Sequence, residues 1–351
     1  MKAVLLKGPG EVVFDDVPVP EVSDDDVLIE VKYCGICGSD VHSIPDCLLF
    51  PAGTYLGHEF SGVVAKVGKN VKDWKIGDRV TANPNTACGE CYACRHGWLS
   101  QCEHYTEHAM GLTDRGAFAK YVGVSTKMKE LYRLPDEVSF EEGALVEPLA
   151  CSLHAVRISA FKVGEHAMVL GAGMIGLGVI AFLKRAGAGL IIATEINERR
   201  TAVARKMGAD YVFNPREVTD LKERVLELTG GKGIDVVFDC SGIPEAFRSA
   251  TTFLRKGGQI IIKGIIPRET PIIPMDFTFN EWDLKGSLCY YADEFPMVID
   301  FLKRKDAPFK ELITSKIKLS EIIEKGFNAL GKPGTSEIKI IVQPDEQLVR
   351  L

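Results

Sequence analysis

Four cysteines stand close together in the first third of the sequence. The first three follow a Cys-x-x-Cys-x-x-Cys pattern and the fourth comes eight residues later, giving Cys88, Cys91, Cys94 and Cys102. This spacing lets one loop place four thiolates around a tetrahedral ion, and zinc is the simplest occupant. Because four protein ligands leave no position for water or substrate, we predict that this zinc is structural.

The same loop has three other interpretations. Its cysteines could be unpaired or joined in disulfides, or they could hold an iron–sulfur cluster, which shares part of the spacing. They could also form a non-enzymatic zinc ribbon that binds nucleic acid or another protein, which predicts basic and aromatic neighbours. The loop contains Tyr92 and Trp98, but acidic residues outnumber Arg95, its one firm cation. This composition disfavours the zinc ribbon.

A second set of possible zinc ligands is spread along the first half of the chain. They occur in the segments Cys34-Gly-Ile-Cys37-Gly-Ser39-Asp40-Val-His42, Gly57-His58-Glu59 and Val146-Glu147-Pro148. Cys, His and Glu all bind zinc, and a catalytic zinc has about three protein ligands and an open position. Spacing alone does not bring them together: His58 could be a structural histidine, and Glu147, before a proline, could begin a helix.

A glycine-rich segment lies at the start of the second half. Gly171, Gly173, Met174, Ile175 and Gly176 form a Gly-Ala-Gly-Met-Ile-Gly motif between a predicted strand and a predicted helix. Glycines let the backbone turn tightly and approach a pyrophosphate, and a helix N-terminus supplies unpaired N–H groups and a positive dipole end. We therefore predict a dinucleotide-binding loop, with a ligand-free glycine turn as the alternative.

A carboxylate ends the next predicted strand. Glu195 follows the glycine motif by about 20 residues, where an acidic side chain binds the adenosine ribose hydroxyls of NAD. It would repel the 2′-phosphate of NADP, so the sequence predicts NAD. Arg199 and Arg200 follow closely and weaken that preference.

Two regions of different pattern carry these residues. Residues 1 to about 150 are dense in Gly, Pro and short β-branched runs, which indicates a β-rich domain with long loops. From about residue 165, apolar strands alternate with helix-length segments, which is typical of right-handed βαβ units around a parallel sheet. From about Lys316 the pattern returns to that of the first region. The fold class is therefore α/β, with a second, β-rich domain.

The predicted strands of the second region are sufficient for a six-stranded, doubly wound sheet. They are His166–Leu170, Leu190–Thr194, Tyr211–Asn214, Val236–Cys240, Gln259–Gly264 and Leu284–Tyr290. The predicted helices are Met174–Ala186, Glu198–Met207, Glu217–Leu228, Pro244–Arg255 and Glu294–Arg304, with Gly187, Gly208 and Gly257 at helix ends. The tail is predicted to contain a helix over Ser320–Leu330 and a strand over Ile338–Val342.

Composition narrows the class of ligand. The chain has 351 residues, enough for two domains, and a net charge of −6 without a basic block. Binding to phosphates needs clustered Lys and Arg, so neither nucleic acid nor a membrane surface is an expected partner, and a small molecule is. The N-terminus lacks the apolar run of a signal peptide, which predicts a cytoplasmic protein.

Taken together and in order, these motifs resemble those of the zinc-containing medium-chain dehydrogenases. The resemblance covers essentially the whole chain and is greatest to the sorbitol, butanediol and threonine dehydrogenase branch. It implies a GroES-like catalytic zinc domain formed by residues 1–150 with 291–351, and a Rossmann NAD-binding domain over 151–290. It also implies two zinc ions per chain, NAD as cofactor, and a homo-oligomer, either a dimer or a tetramer.

By position, the resemblance assigns the catalytic zinc to Cys37, His58 and Glu59. Glu147 is implied either as a fourth ligand or as a partner of the zinc-bound water. Cys34 is not a ligand in this pattern, so it is interpreted as a buried neighbour, with a redox pair as the alternative.

The resemblance also assigns roles around the zinc and the cofactor. Ser39 is placed beside the substrate oxygen, and His42 at the outlet of a proton relay that runs through the cofactor ribose. Asp40 has two interpretations, either holding the local backbone or orienting a zinc ligand. Arg200 is placed on the adenine side of NAD.

The activity implied by the resemblance is hydride transfer between NAD and a secondary alcohol or polyol, giving the ketone. L-Threonine 3-dehydrogenase shares the motifs and is the first alternative. A zinc-independent quinone reductase relative is the second, and the presence of all four candidate ligands of the catalytic zinc disfavours it.

Overall fold

The chain divides into two compact units. The computed structural model describes residues 1–85, 87–105, 107, 109–113, 115–126 and 131–345. The first unit contains Met1–Pro148, Tyr291–Lys305 and Ile313–Leu351, and the second contains Leu149–Tyr290 and Asp306–Leu312. In the described part of the chain, no helix has the length and apolarity needed to cross a membrane.

The described residues form sixteen strands and eleven α-helices. The strands are β1 Lys2–Gly8, β2 Glu11–Asp16, β3 Asp26–Gly35, β4 Thr54–Tyr55, β5 Glu59–Val67, β6 Arg79–Ala82, β7 Tyr121–Ser125, β8 Leu131–Arg133, β9 His166–Leu170, β10 Leu190–Thr194, β11 Tyr211–Phe213, β12 Ile234–Asp239, β13 Leu254–Ile262, β14 Asp283–Gly286, β15 Ile313–Lys318 and β16 Lys339–Gln343.

The helices are α1 Gly38–Ser43, α2 Tyr92–Arg95, α3 Phe140–Gly143, α4 Val146–Arg157, α5 Met174–Arg185, α6 Glu198–Met207, α7 Leu221–Leu228, α8 Pro244–Phe253, α9 Pro274–Asn280, α10 Glu294–Arg304 and α11 Asn328–Leu330. Short 3₁₀ segments cover Leu99–Gln101, Phe309–Leu312 and Leu319–Glu321, and a π-helical segment covers Ile322–Phe327.

Two sheets build the first unit. The larger has the strand order β15-β16-β3-β5-β6-β8, with β7 also paired to β3, and the smaller has the order β2-β1-β4. The core beneath them is formed by the inward side chains of the paired strands, including Val27 and Ile29 of β3 and Phe60 and Val64 of β5. The GroES-like, β-rich part of the predicted fold is confirmed.

The second unit contains the predicted parallel sheet. Its strand order is β11-β10-β9-β12-β13-β14, and every neighbouring pair is parallel. The central strands β9 and β12 are almost entirely buried, which explains why they read as continuous apolar runs. The order reverses at β9, so the loop after β9 lies at the switch point where open α/β sheets bind ligands. The six-stranded Rossmann sheet is confirmed.

Local hydrogen bonds shift one predicted helix. α7 begins at Leu221, four residues after the predicted start at Glu217. The Asn214 side chain accepts a bond from the Arg216 N–H at 3.1 Å and donates to Glu217 Oε1 at 2.7 Å. This side-chain bonding closes a turn that competes with the helix.

A bulge changes the bounds of another pair of elements. α8 ends at Phe253, and β13 starts at Leu254 rather than at the predicted Gln259. The pairing of β13 with β12 shifts at this point, and Gly257, predicted at a helix end, lies in the bulge with φ of 66°. The bulge extends the strand where the sequence pattern indicates a turn.

Three other segments differ from prediction. α9 was not predicted, and the predicted tail helix over Ser320–Leu330 consists of successive 3₁₀, π and α segments. Residues 306–312 were placed with the first domain but lie in the second unit. There Asp306 accepts a bond from Arg185 Nε at 3.1 Å, and Glu311 accepts one from Lys206 Nζ at 3.0 Å.

Candidate metal and nucleotide sites

The four-cysteine loop brings all its sulfur atoms together. The Sγ atoms of Cys88, Cys91, Cys94 and Cys102 lie within 4.8 Å of one another, and two Sγ–Sγ pairs are separated by 4.0 Å. Tetrahedral zinc with Zn–S bonds of about 2.3 Å requires sulfur separations of about 3.8 Å. Backbone N–H groups of Cys88, Cys91 and His104 donate to these sulfurs at 3.3 to 3.4 Å. The donor set and spacing fit a four-thiolate zinc.

The pKa values of two of these thiols are shifted in opposite directions. Backbone N–H groups of Cys94 and Glu103 lower the pKa of Cys91 to about 6. Burial raises the pKa of Cys94 to about 12. Four adjacent thiolates repel one another, so the protein alone does not ionise all of them. A bound divalent cation removes that obstacle.

Strand pairing assembles the second group of candidate ligands. Cys37 follows β3 and caps the N-terminus of α1, whereas His58 immediately precedes β5 and Glu59 begins it. β3 and β5 are antiparallel, with Gly35 opposite Glu59, so the end of one strand meets the beginning of the other. Ligand atoms of Cys37, His58 and Glu59 all lie within 4.8 Å of one another. Thiolate, imidazole and carboxylate form a donor set suited to zinc.

Asp40 contacts both elements of this group. Its Oδ2 accepts a bond from the Cys37 N–H at 2.9 Å, and its Oδ1 lies 3.8 Å from His58 Nδ1. Both facing atoms are buried, and neither has a hydrogen-bond partner among the residues that the structure describes. Burial raises the pKa of Asp40 to about 6. The contacts therefore match both interpretations of Asp40, the one that holds the backbone and the one that orients His58.

Cys34 lies apart from the ligand group. It is 1% exposed, and burial raises the pKa of its thiol well above the usual value. The group of ligand atoms within 4.8 Å includes Cys37 but not Cys34. These features agree with a buried neighbour rather than a reactive thiol.

One residue of this site was missed by the sequence analysis. Lys339, the first residue of β16, is 2% exposed, and its Nζ donates to both carboxylate oxygens of Glu59, at 2.7 and 2.6 Å. The two residues are separated by 280 positions, so spacing carries no signal for the pair. The sequence offered one indication of this buried charge, which is that Lys339 lies within a predicted strand of otherwise apolar residues.

The other predicted residues of the first unit surround this group. Ser39 and His42 lie one turn apart on α1, with Ser39 half-buried and His42 exposed. Glu147 lies in the first turn of α4 and is 7% exposed. It acts electrostatically on His58 and Lys339 but does not belong to the group of atoms within 4.8 Å.

The glycine motif has the geometry of a phosphate-binding turn. Gly171 follows β9 with φ of 88°, and α5 begins after Gly173. A Cβ at Gly176 would lie 1.9 Å from the Gly171 carbonyl oxygen, so the first turn of the helix packs directly on the loop. A Cβ at Gly173 would meet nothing within 4 Å, which leaves open space beside the helix N-terminus. The loop therefore fits a dinucleotide pyrophosphate.

Glu195 is held by backbone N–H groups. Its Oε2 accepts a bond from Ala172 at 3.0 Å, and its Oε1 accepts bonds from Ile196 at 2.8 Å and Asn197 at 2.9 Å. The carboxylate, 7% exposed, thus ties the glycine loop to the turn between β10 and α6. Arg200 lies in the first turn of α6, where its backbone N–H donates to the Asn197 cap.

Comparison with known proteins covers both units. Residues 23–136 match the family described as "Alcohol dehydrogenase GroES-like domain", and residues 175–304 match "Zinc-binding dehydrogenase". A (R,R)-butanediol dehydrogenase of Bacillus subtilis is 37% identical over 98% of this chain and 100% of its own, and a sorbitol dehydrogenase of that organism is 34% identical over 98% of each.

Solved structures show the same similarity. The crystal structure of 2R,3R-butanediol dehydrogenase from Bacillus subtilis has a TM-score of 0.89 at 36% identity, with 98% of this chain and 99% of that chain covered. A putative zinc-binding dehydrogenase from Sinorhizobium meliloti, bound to NADP, has a TM-score of 0.88 at 31% identity and the same coverage.

Proposed function

Because the chain belongs to the zinc-containing medium-chain dehydrogenases, in the branch of the sorbitol and butanediol dehydrogenases, we propose that Cys37, His58 and Glu59 hold its catalytic zinc. The enzyme is a zinc-dependent oxidoreductase that transfers a hydride between NAD(P) and a secondary alcohol or polyol. The observation that supports this assignment is the convergence of the three ligand atoms within 4.8 Å. The four-cysteine loop is assigned to the second, structural zinc.

The residues on α1 are assigned to proton removal. When bound, zinc acts as a Lewis acid that makes an alcohol oxygen acidic near neutral pH. The half-buried Ser39 hydroxyl would accept the alcohol proton, and the exposed His42 imidazole would pass it to solvent, with the ribose of a bound cofactor supplying the hydroxyls between them. Histidine suits the solvent end of this path because its ordinary pKa is about 6.5.

Glu147 is assigned to a supporting role. Glu147 lies outside the close group of ligand atoms. We therefore propose that it accepts a hydrogen bond from water at the open coordination position of the zinc, rather than serving as a fourth ligand. Its negative charge faces His58 and Lys339, so it also helps to balance the positive charges of the site.

The substrate class is tested with a panel of alcohols. We expect NADH formation with polyols such as sorbitol and with vicinal diols such as 2,3-butanediol, and little or none with L-threonine. Threonine has an ammonium and a carboxylate to accommodate, and the relatives named above are dehydrogenases of a diol and a polyol. NADH absorbance measures the rates, and threonine as the best substrate would overturn the assignment.

Cofactor preference is assigned to Glu195. Replacing it with Ser removes the negative charge that would face a 2′-phosphate, so the ratio of kcat/KM for NADP to that for NAD should rise about tenfold or more. The N–H groups of Ala172, Ile196 and Asn197 lose their acceptor at the same time, so NAD binding weakens. Glu223→Ser, on an exposed face of α7, is the control. An unchanged cofactor ratio would remove the assignment.

We also propose that the enzyme is a homo-oligomer whose subunits join through the second unit. β14 is an outer strand of its sheet, all four of its residues are exposed, and its free edge presents backbone N–H and C=O groups. Exposed apolar side chains accompany it, namely Ile272, Ile273, Met275, Phe279, Leu284 and Leu288. Pairing of β14 with the same strand of a second copy about a two-fold axis satisfies the edge and buries these side chains.

Light scattering after size exclusion tests this interface. The variant Ile273→Asp with Phe279→Asp should halve the molecular mass of the wild-type assembly, because two carboxylates per subunit would be buried in it. Ile76→Asp, at an equally exposed apolar residue of the first unit, should leave the mass unchanged. An unaltered mass in the double variant would place the interface elsewhere.

A cytoplasmic location is proposed from the thiols. No disulfide joins any of the ten cysteines, all of which lie in the described part of the chain, although several lie close together. Cysteines that stay reduced are typical of proteins in a reducing compartment.

A further inference from the structure

The buried ammonium group of Lys339, on β16, contacts Glu59 at the start of β5 and the backbone that follows β3. Lys339 Nζ donates to Glu59 Oε1 at 2.7 Å, to Glu59 Oε2 at 2.6 Å and to the Ile36 carbonyl oxygen at 2.8 Å. Ile36 immediately precedes Cys37, and Glu59 immediately follows His58. Lys339 therefore touches one proposed ligand directly and lies beside the backbone that carries the other two.

The Glu59 carboxylate has little freedom to leave this contact. Glu59 is 0% exposed, and a Cβ built on Gly35 would lie 2.2 Å from its Oε2, so the carboxylate rests against the backbone of β3. The Lys339 side chain lies beside the same glycine, because β16 pairs with β3 at Gly35 and Cys34. The carboxylate is thus confined between a glycine and an ammonium group, with each oxygen bonded to Lys339.

A bound zinc would compete with Lys339 for the Glu59 carboxylate. Both are cations, and Lys339 already bonds both carboxylate oxygens, one of which would have to serve as the zinc ligand. Like charges at close range repel strongly in a buried site, so the ammonium opposes the metal while it holds the ligand. Without zinc, however, Lys339 is the group that keeps a buried carboxylate paired.

We propose that Lys339 is a positioning residue that holds Glu59 in the metal-free site and competes with zinc for it, which makes the metal more weakly bound than its ligands alone would allow. This inference rests on the proposed zinc site of Cys37, His58 and Glu59. It predicts that zinc binds more tightly when Lys339 is removed. If Lys339 only stabilises the packing of β16 against β3, its removal should leave zinc binding unchanged or make it weaker.

The first measurement is the zinc affinity of Lys339→Met, a variant that keeps an unbranched side chain and removes the charge. Zinc content is measured in buffers of stepped free zinc, and His58→Ala, which keeps the four-thiolate site, gives the baseline for the structural metal. The dissociation constant of the second zinc should fall at least about tenfold, within the range of ordinary coupling between sites. When Glu59→Gln is also present, Lys339→Met should no longer change the dissociation constant of the second zinc.

The second measurement is thermal stability, which is linked to the first by reciprocity. Lys339→Met should lower Tm by about 5 °C in the His58→Ala background, where Glu59 is left buried without a cation, and by no more than about 3 °C in the zinc-loaded enzyme. Lys305→Met is the matched control. Lys305 Nζ pairs with the buried Glu142 carboxylate at 2.9 Å in the same unit, outside both metal groups. Lys305→Met should lower Tm equally in the His58→Ala background and in the zinc-loaded enzyme.

These measurements distinguish a failure of the proposed role of Lys339 from a failure of the proposed catalytic zinc site. Two zinc ions in the wild type and one in His58→Ala would support the proposed catalytic site, whereas one in both would overturn the site and the inference together. If the zinc counts are two and one, but Lys339→Met binds zinc equally or less tightly, the positioning role alone is wrong. Equal Tm losses for Lys339→Met in both backgrounds would lead to the same conclusion.

Discussion

Replacing His58 with Ala should lower kcat/KM for the alcohol by about 10³-fold or more, while each chain keeps one zinc ion. His58 supplies one of three converging ligands, so its loss removes the catalytic metal and several kcal/mol of stabilisation of the developing alkoxide. The four-cysteine site lies on a different loop and shares no ligand with it. Zinc is counted by atomic emission, and activity is followed by NADH absorbance.

A second histidine provides the control for this prediction. His166 begins β9, at the end of the strand opposite the glycine loop, and lies outside both metal groups. His166→Gln should retain two zinc ions and nearly full activity. A His58→Ala enzyme that loses one zinc but remains fully active would show that the metal at this site is not catalytic.

Replacing Cys94 with Ser should lower Tm by more than about 10 °C and reduce the zinc content from two ions to one. Structural zinc sites contribute on the order of 10 kcal/mol of binding free energy to folding, and a hydroxyl is a poor substitute for a thiolate. The two largest aromatic side chains of the loop add little buried surface, since Tyr92 is 64% and Trp98 48% exposed. Calorimetry gives Tm, and zinc analysis of the same samples gives the metal content.

Cys47→Ser separates loss of metal from loss of a thiol. Cys47 is half-buried in the same unit and belongs to neither metal group. It should keep both zinc ions and most of the thermal stability. If Cys94→Ser still held two zinc ions, the four-thiolate assignment would be wrong.

The sequence was most informative where chemistry and periodicity are local. The glycine motif, the strand before it and the helix after it are adjacent, so the local sequence was sufficient to predict the turn between β9 and α5 that contains Gly171, Gly173 and Gly176. The cysteine loop is equally compact. In both segments, nearly all the groups that define the structure lie within 15 or so residues, and no distant partner has to be known.

The remainder depends on partners that are distant in the chain. Lys339 was missed because its role exists only after β16 pairs beside β3. Residues 306–312 lie in the second unit, where Asp306 and Glu311 pair with Arg185 and Lys206, which are more than 100 residues away in the chain. The bulge at Gly257 shows a different limit. A glycine with positive φ suits either a helix end or a strand bulge, and only the pairing of β13 with β12 decides between them.

The link between Lys339 and Glu59 also bears on the order in which the enzyme is made. Glu59 leaves the ribosome 280 residues before Lys339, which at about 5–20 residues per second is a delay of roughly 15–60 s. During that interval the Glu59 carboxylate has no Lys339 ammonium to pair with, and a chain that terminates before residue 339 never acquires it. Such truncated chains therefore cannot form the ion pair that positions Glu59 in the metal-free site.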